Sequence, residues 1–208
     1  MKYITDIKLL DLNKRYTYAD YLTWRFRERV ELIMGRIFKM TPAPSRLHQE
    51  ILGKLHLAIG NVLSGSSCNI YLAPFDVRLP QKDGREDTVV QPDICIVCDK
   101  SKLDLKGCNG APDLIIEILS PSTASKDLKE KYMLYEAAGV LEYWTVDPVD
   151  GLINVYTLDK NGKYQAFKPY TVHEKVISKT IPNLEIELKG IFPSLLEEPK
   201  DPYEGKRI

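Results

Sequence analysis

The chain has 208 residues, 44% of them hydrophobic and 28% charged, a balance that suits an ordinary soluble globular protein with one sizeable core. Lysine plus arginine equals aspartate plus glutamate at 29 each, so no global field draws the molecule toward nucleic acid or an anionic membrane; any such binding must come from a local patch. The opening residues MKYITDIKLLDLNKRY lack an uninterrupted apolar h-region and no stretch approaches the roughly 20 apolar residues of a membrane span, so a cytoplasmic protein without membrane association is expected.

In chain order, "TYADYLTWRFRERVELIMGRIFKM" predicts a short helix starting near Thr17, then a hairpin of "RVELI" and "RIFKM" turning at Met34-Gly35. "PAPS" at residues 42–45 breaks the chain. The next stretch carries Leu47, Ile51, Leu55, Ile59 and Leu63 at helical spacing and stops at the Gly and Ser cluster that follows. Three strands are predicted next, "NIYLAPFDVRLP", "QPDICIVC" and "DLIIEILS", the first two forming a hairpin across the polar loop "PQKDGREDTV". "SKDLKEKYMLYEAAG" reads as a helix capped by Ser125 or Thr123 and stopped by Gly139. "LEYWTVDP" and "LINVYTL" are strands joined by "DPVDG", and Asn161-Gly162 turns a further hairpin. This order suits an α+β or mixed α/β sheet with one helix on each side, residues 1–195 forming one domain and 196–208 a polar tail.

Cys95 and Cys98 in "CIVC" have zinc-ligand spacing, but on a strand they point to opposite faces and no turn residue separates them. Buried thiols are the expectation for the four cysteines. Disulfides are not expected in a chain without a secretory signal.

Three residues carry potential chemistry. Glu117 stands inside the apolar run "LIIEIL", where a charge is costly unless it lies at a sheet end, is paired with a base or holds a cation. If its strand lies beside that of Asp93 in "QPDI", the two carboxylates can converge on one face and hold Mg²⁺ or Mn²⁺. Lys131 follows on the next helix, where Asp127, Lys131 and Tyr135 form one row at i, i+4 and i+8. A solvated Asp127–Lys131 pair, or a simple ion pair from Glu117 to Lys131 or an arginine, is the competing structural explanation. Lys126, Lys129 and Lys131 together would make a basic ridge for phosphate contact, or merely a solvated helix face.

The motifs "VVQPDICIV", "GAPDLIIEILSPST", "DLKEKYMLYEAAGVLEYWTVDP", "RVELIMGRIFKMTPAPSRLH" and "APFDVRLP" in this order resemble the Uma-type restriction-endonuclease family, a bacterial branch of the PD-(D/E)xK nucleases. The resemblance spans roughly residues 15 to 190. It implies a restriction-endonuclease-like central mixed sheet flanked by helices and a Mg²⁺- or Mn²⁺-dependent hydrolase of DNA phosphodiesters, acting as a homodimer. Carried over by residue, Asp93 and Glu117 become the metal ligands. The family pattern expects a lysine two residues after the second acid, where this chain has Leu119; the resemblance makes Lys131 on the following helix the catalytic lysine instead. Glu31 and His48 match the family's first-hairpin glutamate and first-helix histidine, either able to close the metal or water shell. Asp76 and Tyr135 are secondary candidates, Tyr135 also reading as core packing. Asp113 in "APD" reads as a strand-initiating residue, too far along its strand from Glu117 to share an ion with it. The displaced lysine leaves a second reading, a catalytically silent nuclease-fold module that binds nucleic acid or protein.

Overall fold

Thr17 caps the first helix: its hydroxyl accepts from the Asp20 amide while the Asp20 carboxylate accepts from the Thr17 amide, so each satisfies the other's end group. In this computed structural model, which describes residues 3–40, 43–81, 83–120 and 127–192, that helix is the short α1, Tyr18–Tyr21. The hairpin of β1 (Val30–Ile33) and β2 (Arg36–Lys39) follows, Ile33 opposite Arg36. Met34 and Gly35 between them both take positive φ, 49° and 76°, as a two-residue hairpin turn demands.

Ser45 caps α2 (Arg46–Leu63), whose buried face is His48, Ile51, Leu55, Ile59 and Leu63. The predicted periodicity holds from Ile51 onward. At the first turn, however, His48 takes the buried position and Leu47 only leans on the core.

The stretch predicted as one strand from residue 69 to 80 divides into β3 (Asn69–Leu72) and β4 (Val77–Arg78), which belong to different sheets. Pro74 lies between them and has no N–H to continue a ladder. After β5 (Val89–Val90) and β6 (Ile94–Val97), the expected pairing is therefore shared: β3 lies antiparallel to β6, and β4 antiparallel to β5. The small hairpin β7 (Leu103–Asp104) and β8 (Gly107–Asn109) joins β4 in parallel. Gly107, at φ 130°, permits this approach, since a Cβ there would stand 2.1 Å from the Asp76 carbonyl oxygen.

β9 (Leu114–Ile118) leads toward a π-type turn over Asp127–Lys131 and then α3 (Tyr132–Ala138). The expected caps Thr123 and Ser125 lie outside the described residues. Gly139 ends α3 in the left-handed conformation, φ 86°, its amide donating to the carbonyls of Tyr135 and Glu136. β10 (Glu142–Asp147) runs parallel to β9 and antiparallel to β11 (Leu152–Leu158), which carries β12 (Tyr164–Ala166) and β13 (Tyr170–Thr171). The hairpin β14 (Lys175–Ile177) and β15 (Glu185–Glu187) and a 3-10 turn over Leu188–Gly190 complete the described chain.

The central mixed sheet has the order β12-β11-β10-β9-β6-β3, and a second sheet the order β2-β1-β5-β4-β8-β7. Alternation along the central strands sorts side chains to two faces. Leu114, Ile116 and Ile118 pack with Ile94, Ile96 and the α2 face, while Ile115 packs with Cys95, Leu134, Tyr135 and Tyr143 on the α3 side. A third cluster, including Tyr16, Tyr18, Trp24 and Leu32, seats the N-terminal segment. Cys95 and Cys98 do face opposite sides. The disulfide expectation is corrected: Cys68 and Cys98 are bridged, because the β3–β6 register, Asn69 opposite Val97, sets them across from each other one step on. Among the described residues no helix is long and apolar enough to cross a membrane.

Candidate active site

Glu117 has the same strand parity as Ile115 and so points toward α3, where it is 4% exposed. Two α3-side groups meet it there. Lys131 Nζ donates to Glu117 Oε1 at 2.7 Å, and the Tyr135 hydroxyl donates to the same oxygen at 2.7 Å. The i, i+4 spacing of Lys131 and Tyr135 lets two donors one turn apart reach one carboxylate. Burial, then the negative charges of Glu117 and Glu31, push the Tyr135 hydroxyl well above the usual tyrosine range, so it remains a donor. Of Asp127, the third residue of the predicted row, the side chain lies outside the described ones.

Lys131 also lies 3.5 Å from Oε1 of Glu31 on β1. Glu31 is 1% exposed and Lys131 4%, so this ammonium is shared between two buried carboxylates and is no part of an exposed basic ridge; burial overturns that expectation. The Gln91 amide donates to Glu31 Oε1 at 3.1 Å.

Asp93 stands one residue before β6. The β6–β9 register, Ile94 opposite Ile116, continued by one step sets Asp93 across from Glu117. The Ile118 amide donates to Asp93 Oδ2 at 2.8 Å, and His48 Nε2 lies 3.2 Å from the same oxygen. A carboxylate only accepts, so Nε2 carries the hydrogen in that contact. His48 Nδ1 is buried without a partner, and Asp93 Oδ1 accepts nothing among the described residues. Asp76 accepts at Oδ1 from the Tyr21 hydroxyl at 3.0 Å and from Gln91 Nε2 at 2.8 Å. It joins the group through Gln91.

Glu117, Lys131, Tyr135, Glu31 and Asp76 are thus joined through Lys131 and Gln91, and the His48–Asp93 pair adjoins them at the Ile118 amide, one residue after Glu117. Asp93 is held by His48, Glu117 by Lys131 and Tyr135, Glu31 by Lys131 and the Gln91 amide, and Asp76 by the Gln91 side chain. Asp113 sits at the other end of β9, accepting the Cys98 amide at 2.8 Å. Gln91, Tyr21 and Arg29 escaped the sequence reading. The one available signal was the glutamine directly before "PD", whose partners are distant in sequence.

Among the described residues no three His, Cys, Asp or Glu side chains are grouped to hold a metal ion. Two carboxylates at opposed register positions, Asp93 Oδ1 accepting nothing among the described residues, still fit a hard divalent ion, which takes few protein oxygens and retains waters. Asp93 and Glu117 would hold it.

Comparison with known proteins identifies the family and the fold. The family model Uma2, described as "Putative restriction endonuclease", matches residues 18–189. The chain belongs to the Uma2 family. A curated relative of this Uma2 protein, "Uncharacterized protein slr1290" of Synechocystis sp. (strain ATCC 27184 / PCC 6803 / Kazusa), is 28% identical over 148 residues, covering 70% of this chain and 75% of the relative. Among solved structures, that of a putative nuclease belonging to DUF820 from Anabaena variabilis ATCC 29413 superposes with a TM-score of 0.67 at 21% identity, over 85% of this chain and 97% of the other. The Uma2 protein shares that fold.

Proposed function

We propose that this Uma2-family protein is a Mg²⁺- or Mn²⁺-dependent endodeoxyribonuclease. One observation carries the reading: Asp93 stands across from Glu117 in register, and Lys131, arriving from the following helical segment, donates to Glu117. That contact supports a lysine supplied from outside the strand in place of the motif lysine, where this chain has Leu119.

When bound at the two acids, a divalent ion supplies a water of lowered pKa and offsets charge on the phosphodiester. The protein's own groups do the rest. Lys131 Nζ is a cation held between Glu117 and Glu31, and would donate to the attacking water or to a non-bridging phosphoryl oxygen as negative charge grows there. Tyr135 and His48 each tie down one carboxylate oxygen, so neither acid has to reorient during the reaction. Hydrolysis adds water across one P–O bond, the departing oxygen taking up a proton. The resemblance supports a homodimer, two such sites cutting two strands.

Incubation of supercoiled plasmid with the protein and Mg²⁺ or Mn²⁺ tests the reading. Nicking or linearisation is expected, halted by EDTA and reduced about 10²–10³-fold or more in Asp93→Ala, Glu117→Ala and Lys131→Met. Cleavage that survives all three substitutions would contradict the assignment. DNA binding without any cleavage would favour the silent binding module.

A further inference from the structure

We propose that Arg29 is a preset contact for a backbone phosphate of duplex DNA at the rim of this site, held in position by Gln91 and Asp76. Arg29 is exposed, yet its guanidinium is anchored: Nε and Nη2 donate to Gln91 Oε1 at 3.1 and 2.9 Å. The Gln91 amide cannot turn over freely. Its Nε2 donates to Asp76 Oδ1 at 2.8 Å, and the Asp76 carboxylate, able only to accept, obliges the amide to present nitrogen on that side and oxygen to Arg29. The Tyr21 hydroxyl braces the same Asp76 oxygen at 3.0 Å. Burial, then the Asp76 charge, push the Tyr21 hydroxyl far up, so it stays a donor.

Among the described residues no carboxylate lies within ion-pair distance of Arg29. Arg78, Arg85 and Arg46 are each neutralised by a carboxylate, Asp104, Asp83 with Asp87, and Glu50; Arg15 and Arg25 are held by backbone carbonyls, and what sets Arg29 apart is that its neutral anchor, Gln91, also donates to Glu31. Arg29 instead has one edge fixed by a neutral amide, with the rest of its donor fork and its full charge left toward solvent. Holding a long cationic side chain still costs rotamer entropy, which a pre-organised fork recovers when it meets an anion of bidentate shape such as a phosphate.

Its place connects it to the chemistry. Arg29 precedes β1 by one residue and lies two before Glu31, so it shares that strand face at roughly 7 Å along the chain. Gln91 bridges the two directly, its amide donating to Glu31 and its side chain accepting from Arg29. A strand gripped by Arg29 would thus be indexed against Glu31, Lys131 and Glu117. Asp76, on this account, is a positioning residue rather than a metal ligand. The contact rests on the nuclease reading of the same site.

Fluorescence anisotropy with a labelled 20-base-pair duplex in EDTA, where cleavage is blocked, tests it across a salt series. Arg29→Ala is expected to weaken binding about 5–10-fold and to reduce the slope of log K against log salt by about 1. Gln91→Ala keeps the charge but frees the fork, so binding should weaken about 2–3-fold with the slope unchanged. Arg29→Ala binding with wild-type affinity and slope would overturn the contact while leaving plasmid cleavage intact. Failure of the wild-type protein to bind duplex DNA at all would overturn both the contact and the nuclease reading.

Discussion

Glu117 is affordable inside an apolar strand only because two donors arrive from one helical row and a second buried acid shares the lysine. Much of this could be read from residue types and spacing. Strand parity sends Glu117 to the face opposite Ile116, and helical spacing puts Lys131 and Tyr135 on one row. Tyr135 divided between two readings, and the structure supports both: its ring packs against Tyr143 at 5.0 Å between centroids while its hydroxyl serves the carboxylate. The hydroxyl's raised pKa has a signed consequence. The folded state keeps this proton where an unfolded tyrosine loses it, so the stability it contributes is full below about pH 10 and is lost as pH rises further. Tyr135→Phe should cost about 1–3 kcal/mol at neutral pH through the lost bond to a buried carboxylate, and should flatten the alkaline decline of stability. Urea titrations at pH 7 to 11 would show it; an alkaline decline as steep as in the wild type would contradict the linkage. Gln91 was illegible for a different reason. A neutral amide has no titration chemistry to advertise it, and its partners Arg29 and Tyr21 are 62 and 70 residues away.

At the scale of elements, the long periodic segments were the most legible. α2 follows its Ile51, Leu55, Ile59, Leu63 repeat, and the β10–β11 hairpin follows its turn residues. The failures cluster where chain direction is decided by a single residue: Pro74 divides one apparent strand between two sheets, and the bridge of Cys68 to Cys98 depends on a register that no local pattern specifies. Glu142 is a third case, a carboxylate with 0% exposure that attracted no attention in sequence. Its Oε1 accepts from Trp144 Nε1 at 2.6 Å. Its Oε2 accepts from Ser178 Oγ, the amides of Lys179 and Thr180, and Thr180 Oγ1, each at 2.9 Å. This one side chain ties the connection between β14 and β15 to the first residue of β10. Glu142→Leu should strand those donors without acceptors and destabilise the fold by about 3–5 kcal/mol, while Glu142→Gln, which retains one carbonyl oxygen, should cost less. Chemical denaturation midpoints for the two variants check the order; equal midpoints would show that the connection is held by packing alone.

Across the whole molecule, two sheets and two helices serve to bring five separate chain segments to one place. β1 delivers Glu31, α2 delivers His48, the β6–β9 ladder delivers Asp93 and Glu117, and the segment entering α3 delivers Lys131. Local pattern singled out Asp93, Glu117 and Lys131 and the family resemblance Glu31 and His48, but only the strand order β9-β6 and the packing of α3 against the opposite face from α2 put them together. A balanced net charge is consistent with this plan, since the cations that matter are placed individually rather than spread as a field. The central claim is that the facing acids of the ladder form a divalent-ion site. Anomalous diffraction from a crystal of the protein grown with Mn²⁺ tests it most directly: the account predicts a manganese peak about 2 Å from carboxylate oxygens of both Asp93 and Glu117. A crystal saturated with Mn²⁺ that shows no peak between them, or a peak touching only one, would contradict it.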